Sequence, residues 1–133
     1  MPARIVLVHD DLAVLEEIAA ALRAAGHEVA TFSGSMEALD ALEDAETVQL
    51  LITRVGFPRG TPNGLALARM ARFKRPAIKV LFAARPEMEE HTAGLGEFLA
   101  APINIPQLVE CATRLLEDEQ GGVVLRPAAL KSG

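Results

Sequence analysis

Ile5-Val6-Leu7-Val8, followed by His9-Asp10-Asp11, and Leu50-Leu51-Ile52-Thr53, followed by Arg54-Val55-Gly56-Phe57-Pro58, are the two stretches that decide the fold. Each starts as a short run of apolar or β-branched residues, the pattern of a strand buried on both faces. Each then ends in charged side chains. Asp10 or Asp11 also stands where a carboxylate caps a helix, and Leu12, Leu15, Ile18 and Leu22 recur behind it at helical spacing. Strands that feed into helices build a parallel sheet, so the charged residues after both runs are expected on one rim of it.

The alternation continues outward from these runs. Gly26 closes the first helix near Ala25. His27–Phe32 reads as a weaker edge strand, and Gly34-Ser35 opens a short helix through Leu39 and Leu42. Val48–Thr53 is the next buried strand. A Pro/Gly loop from Pro58 to Gly64 leads to a helix over Leu65–Phe73, which Pro76 breaks. Ile78–Ala84 is a fourth strand, Glu87–Thr92 a short helix at most, and Glu97–Ala100 a short fifth strand. Asn104-Ile105-Pro106-Gln107 supplies a cap, a first-turn Pro and a Gln three residues after the cap. Ile105, Leu108, Val109, Ala112, Leu115 and Leu116 then mark the apolar face of the last helix. From Gln120 onward, Gly, Pro and small residues predict a loose tail or truncated linker, giving one domain over 1–119 and a tail over 120–133. Five strands alternating with helices predict an α/β doubly wound parallel sheet. His9, Asp10, Asp11, Arg54, Ala83, Ala84 and Ala101 then fall near one rim.

Composition narrows the function classes. A chain of 133 residues with 50% hydrophobic residues supports one substantial core. Its net charge of −5, with 13 scattered Lys and Arg, offers no basic field for nucleic acid or an anionic membrane. Trp and Tyr are absent, so bases would find few aromatic platforms. No run approaches the roughly 18–20 apolar residues of a membrane span, and Met1-Pro2-Ala3-Arg4 lacks the features of a signal peptide. A single cysteine, Cys111, fits a reducing compartment, and the expected location is the cytoplasm.

Taken in order, these features resemble the receiver domain of two-component response regulators, over roughly residues 4–118. The acidic pair after the first strand, Gly26, Ala38-Leu39, Asn63-Gly64 and Ala101-Pro102 carry the resemblance through their order and spacing. It implies a CheY-like, flavodoxin-like three-layer sandwich with strand order 2-1-3-4-5. It also implies phosphotransfer to an Asp that ends the third strand, four residues before a Pro. Two acids after the first strand would hold Mg²⁺ beside that Asp. A Ser/Thr ending the fourth strand and a Lys before the Pro of the fifth would contact the phosphoryl group.

Most of those positions depart from the family. His9 takes the place of the first acid, Asp10 matches the second, and Asp11 follows. Arg54, four residues before Pro58, takes the acceptor position. Ala83 takes the Ser/Thr position and Ala101 the Lys position. Mg²⁺ requires oxygen ligands, and a fixed cation at Arg54 would repel it. Without nucleophile, hydroxyl or Lys, little machinery for phosphoryl transfer remains. Arg54 is expected instead to pair with Asp10, and with Asp11 if it reaches, in place of the metal. The bland alternative is an Arg54 that points into water.

Other residues read more simply. Phe98 matches the family's aromatic switch position, but without a hydroxyl at Ala83 it is expected to act as core packing. Thr53 should turn away from Arg54 by strand alternation. His9 reads as a hydrogen-bonded rim residue rather than a ligand, and His27 and His91 form no ligand spacing. Cys111 should be an inert, packed thiol. Gly60-Thr61-Pro62-Asn63-Gly64 lacks the Lys-Ser/Thr of a phosphate loop. The Phe57–Gly64 loop is about two residues longer than the family's. The segment from Ala84 to Phe98 is about one helical turn shorter, which stunts the fourth helix and favours partner contacts on helix 1, helix 5 or a remodelled face.

The expected function is signalling through a protein partner without Asp phosphorylation, with no cofactor, no metal and no catalysis, and with a homodimer left open. A second class is a sensor of small anions at the rim, using Arg54, His9 and Arg85. An enzyme, with His9, Asp10 and Asp11 as acid–base groups, ranks last because no nucleophile stands beside an oriented base.

Overall fold

The computed structural model describes residues 4–44, 47–57 and 60–121. Ten elements alternate along the chain: β1 (Ile5–Val8), α1 (Leu12–Ala24), β2 (Val29–Phe32), α2 (Ser35–Asp44), β3 (Leu50–Thr53), α3 (Gly64–Lys74), β4 (Lys79–Ala84), α4 (Glu89–Thr92), β5 (Glu97–Ala100) and α5 (Ile105–Gly121). The strands form one parallel sheet in the order β2-β1-β3-β4-β5. The expected architecture and order therefore hold.

All four residues of β1 and of β3 are buried, because helices cover both faces of the sheet. Strand alternation sends Ile5, Leu7, Leu50, Ile52 and Leu81 against α1 and α5, where Leu15, Ile18, Leu108 and Ala112 meet them. Val6, Val8, Leu51, Val80 and Phe82 point to the other face, onto Ala38, Leu42, Leu67 and Ala68 of α2 and α3. Each fully buried Leu, Ile or Phe contributes about 1.5–3 kcal/mol relative to exposure, so these two layers hold the rim in place.

The caps are those the sequence supplies. Asp11 Oδ1 accepts hydrogen bonds from the amides of Ala13 at 3.0 Å and Val14 at 3.3 Å. Asn63 caps α3 through the Ala66 amide at 2.8 Å, and Asn104 caps α5 through the Gln107 amide at 2.9 Å. Gly26, at φ 96°, turns the chain out of α1 while the His27 amide reaches back to the Leu22 carbonyl at 3.1 Å. The fourth helix is stunted as expected: a 3₁₀ turn at Pro86–Met88 leads into only four residues of α4.

Two expectations change. Leu12 is 63% exposed rather than part of the core face; it opens α1, and the buried stripe begins one turn later at Leu15. α5 is described to Gly121, and residues 122–133 of the expected tail lie outside the described residues. The cations are less scattered than expected, because Arg69, Arg72, Lys74 and Arg75 fall in one stretch at the end of α3. Among the described residues, no helix is long and apolar enough to cross a membrane.

Candidate functional site at the rim of β1 and β3

β1 and β3 are neighbours, and Val8 lies opposite Thr53. The residues that leave these strands therefore emerge side by side. The His9 amide donates to the Phe32 carbonyl at 3.1 Å, which extends the β1–β2 ladder one residue and fixes the exit direction. Arg54 Nη1 donates to Asp10 Oδ1 at 2.6 Å, a short charge-assisted contact. Both side chains are 34% exposed. The sequence-derived pairing of Arg54 with Asp10 is thus present, whereas the Asp11 carboxylate is directed to the amides that open α1.

Electrostatics follow from this geometry. Burial pushes the Asp10 carboxyl up, but the hydrogen bond and charge of Arg54 outweigh it and hold the group below its ordinary value. Burial first, and then the Arg54 charge, push His9 down against the opposing pull of Asp10 and Asp11. His9 Nδ1 accepts from the Asp11 amide at 3.0 Å, so the neutral ring carries its proton on Nε2. His9 Nδ1 also lies 3.9 Å from Asp10 Oδ1.

A divalent cation does not fit these residues. Asp10 offers one carboxylate whose partner is already a guanidinium, and His9 turns its Nδ1 lone pair to a backbone amide. Among the described residues, no three His, Cys, Asp or Glu side chains converge as a metal site.

The backbone beneath Arg54 is tightly held. Thr53 is buried, and its hydroxyl donates to the Arg54 carbonyl at 2.9 Å. The Gly64 amide donates to the Val55 carbonyl at 2.7 Å, folding the β3–α3 connection onto the strand end. A Cβ at Gly64 would lie 1.8 Å from the Arg54 carbonyl oxygen, so glycine is required by close approach. Sequence reading took Asn63-Gly64 as a landmark and missed this positioning role. Pro58 and Arg59 lie outside the described residues, and with them part of the expected loop extension.

On the β4–β5 side, Ala83 packs on the α1/α5 face, while Phe98 packs on the opposite face, where its partner in register on β4 is Phe82. Thr53 pairs with Phe82, so Arg54 and Ala83 follow side by side at the ends of β3 and β4. Neither Phe82 nor the two alanines that end β4 offers Phe98 a polar partner. Phe98 packs against the core as expected. Ala101 sits at the same rim, its amide donating to the Ala84 carbonyl at 2.7 Å, and its peptide bond to Pro102 is cis.

The remaining candidates lie elsewhere. Burial pushes the Cys111 thiol up, and the side chain is buried on α5. His27 shares a hydrogen bond with Thr113 at 2.8 Å. His91 is exposed beside Glu90. Arg85 lies 3.9 Å from Glu87 on the surface.

No protein-family model and no curated protein matches the chain. Solved structures do. The CheY-like receiver domain protein of Methanospirillum hungatei JF-1 shares 24% identity, with a TM-score of 0.79 over 90% of this chain and 98% of its own. A receiver protein of Sinorhizobium medicae WSM419 shares 22%, with a TM-score of 0.79 over 89% and 97%. The receiver domain of the hybrid histidine kinase CckA is 33% identical, with a TM-score of 0.72, over 85% of this chain and 98% of its own. With a third of residues shared across nearly all of that receiver domain, the chain belongs to the family of response-regulator receiver domains.

Proposed function

We propose that this receiver domain signals through contact with a protein partner, without phosphorylation of an Asp at the end of β3. The observation that carries the reading is the Arg54–Asp10 ion pair at 2.6 Å. On this reading Arg54 holds a cation at the family's acceptor position, and the pair engages the acidic residue that would otherwise bind metal. Ala83 and Ala101, at the positions of the family's Ser/Thr and Lys, supply neither hydroxyl nor ammonium. Acid–base catalysis finds no support either, because the Asp11 carboxylate caps α1 and His9 Nδ1 accepts a backbone amide. In this reading the domain is a non-enzymatic, cytoplasmic adaptor. The anion-sensor alternative loses ground because the Arg54 charge is already met by Asp10.

The test is incubation with acetyl phosphate and Mg²⁺, followed by intact-mass measurement. The mass should stay unchanged at neutral pH. A Mg²⁺-dependent, base-labile phosphoryl adduct would overturn the proposal.

A further inference from the structure

The surface at the C-terminal end of α3 combines features the rim does not explain. Phe73 is 86% exposed. It lines a cleft of about 410 Å³ between α2 and α3, together with Leu39 and Met70. Met36, one turn before Leu39, is a further 48% exposed. Lys74 lines this cleft and also a second one of about 420 Å³, with Gln49 and Arg75, so the two adjoin. The result is an apolar trough that continues into a polar one.

Charge is concentrated beside it. Residues 69–75 carry four cations and no carboxylate, in a chain of net charge −5. Lys74 pairs with Glu43 across the trough at 3.3 Å. Arg72 is spent on backbone carbonyls, reaching Ile78 at 3.1 Å and Leu95 at 2.7 Å, so its charge meets no carboxylate. Among the described residues, Arg69 and Arg75, which line the two clefts, have no ion-pair partner. Arg75 Nε is shut off from solvent and makes no hydrogen bond. The dipole of α3 accounts for cations in its last turn. It does not account for a bare aromatic ring among them, nor for an unmet donor beside the second cleft.

We infer that the α2–α3 trough docks an acidic segment of a partner protein, which inserts an apolar anchor beside Phe73 and sets carboxylates against Arg69 and Arg75. Charge complementarity selects this occupant. A two-fold dimer through the same patch would face its cations with themselves. An anionic membrane would be met by a chain of net charge −5 and by Glu43 at the lip. The inference rests on the proposed function only in taking a protein as the partner class.

The test uses the full chain and a fluorescein-labelled, Glu-rich helical peptide with Leu at every fourth position, plus a twin with Gln for each Glu. Expected are saturable anisotropy changes weakened by salt, and amide shifts in ¹⁵N spectra confined to Leu39, Met70, Phe73, Arg75 and their neighbours. At least tenfold weaker binding is expected for the Gln twin, for Phe73→Ser, and for Arg69→Glu with Arg75→Glu. Circular dichroism and unchanged unfolding midpoints should show that these surface variants fold. The inference is overturned by shifts mapping elsewhere, by binding indifferent to the variants, or by no saturable binding. It is also overturned by tighter binding to phosphatidylserine vesicles than to the peptide, or by self-association in sedimentation that Phe73→Ser abolishes. Any such failure leaves the mass test above untouched, so the two readings fail separately.

Discussion

The Arg54–Asp10 pair should contribute about 1 kcal/mol of coupling to stability, and a double-mutant cycle can isolate it. The perturbations are Arg54→Ala, Asp10→Ala and the double variant. The single short contact of 2.6 Å argues for the upper end of the range for surface pairs, roughly 0.2–1 kcal/mol. The 34% exposure of both side chains argues against the 3–5 kcal/mol, in order of magnitude, lost when a fully buried pair is broken. Water can hydrate whichever partner is left. In a domain of this size, about 1 kcal/mol corresponds to roughly 3–5 °C in Tm. Urea unfolding followed by circular dichroism measures the cycle, and pH supplies an independent check. The folded carboxyl of Asp10 titrates below the 3.8 of an unperturbed Asp. Its contribution is therefore complete above that value and is lost as pH falls through the folded pKa. Coupling should be constant from neutrality to about pH 5, and should vanish below the folded value. A cycle that closes to zero at pH 7 and low salt would refute the pairing as a stabilising contact, and coupling that persists in acid would refute its ionic origin.

Three further outcomes are expected. Gly64→Ala would drive a Cβ to within 1.8 Å of the Arg54 carbonyl oxygen; a loss of about 2–3 kcal/mol, read by urea unfolding, should follow from the forced backbone shift. His9 should titrate below 6.5 by NMR, with its midpoint rising in Arg54→Ala and falling in Asp10→Asn, since the first charge lowers it and the second raises it. The unfolded chain then takes up this proton first, so stability falls as pH drops from above 6.5 through the folded pKa, and His9→Asn should flatten that slope. Cys111, buried and with its thiol pushed up, should react with a thiol reagent in the native protein far more slowly than in urea.

The parts of this protein that were legible in its sequence are those set by local pattern. Runs such as Ile5–Val8 and Leu50–Thr53 have no polar face, so only a sheet covered on both sides can hold them. Asp11 and Asn104 announce helix starts by chemistry that acts within three residues. The Arg54–Asp10 pair was legible for a different reason: both residues end neighbouring strands, so adjacency follows from topology. What stayed hidden depends on depth or on long-range approach. Leu12 fits the helical period, yet its turn precedes the buried stripe of α1. Ala83 and Ala84 are indistinguishable by type, and only the pleat sends them to opposite faces of the sheet. Arg72 looks like any surface cation until its guanidinium is seen tying α3 to the approaches of β4 and β5.

The size of the ion pair bears on how such a domain can carry a signal. A coupling of about 1 kcal/mol biases a two-state equilibrium only about fivefold. The pair is therefore too weak to latch one conformation against another, though strong enough to orient Arg54 and Asp10. On the proposed reading, the end of β3 carries the Arg54 guanidinium in place of an acceptor carboxylate and undergoes no change of charge comparable to phosphorylation. Of the groups at this rim, His9 is the one whose ordinary range lies near neutrality, and it is pushed down and away from it. On the proposed reading, information then enters through occupancy: a partner binds or is absent. Its differential affinity, rather than chemistry at the rim, sets how far any conformational equilibrium moves. Selection for partner recognition would act on exposed side chains far from Arg54. Phe73 and the cations around it are where the structure departs most from an ordinary solvated surface.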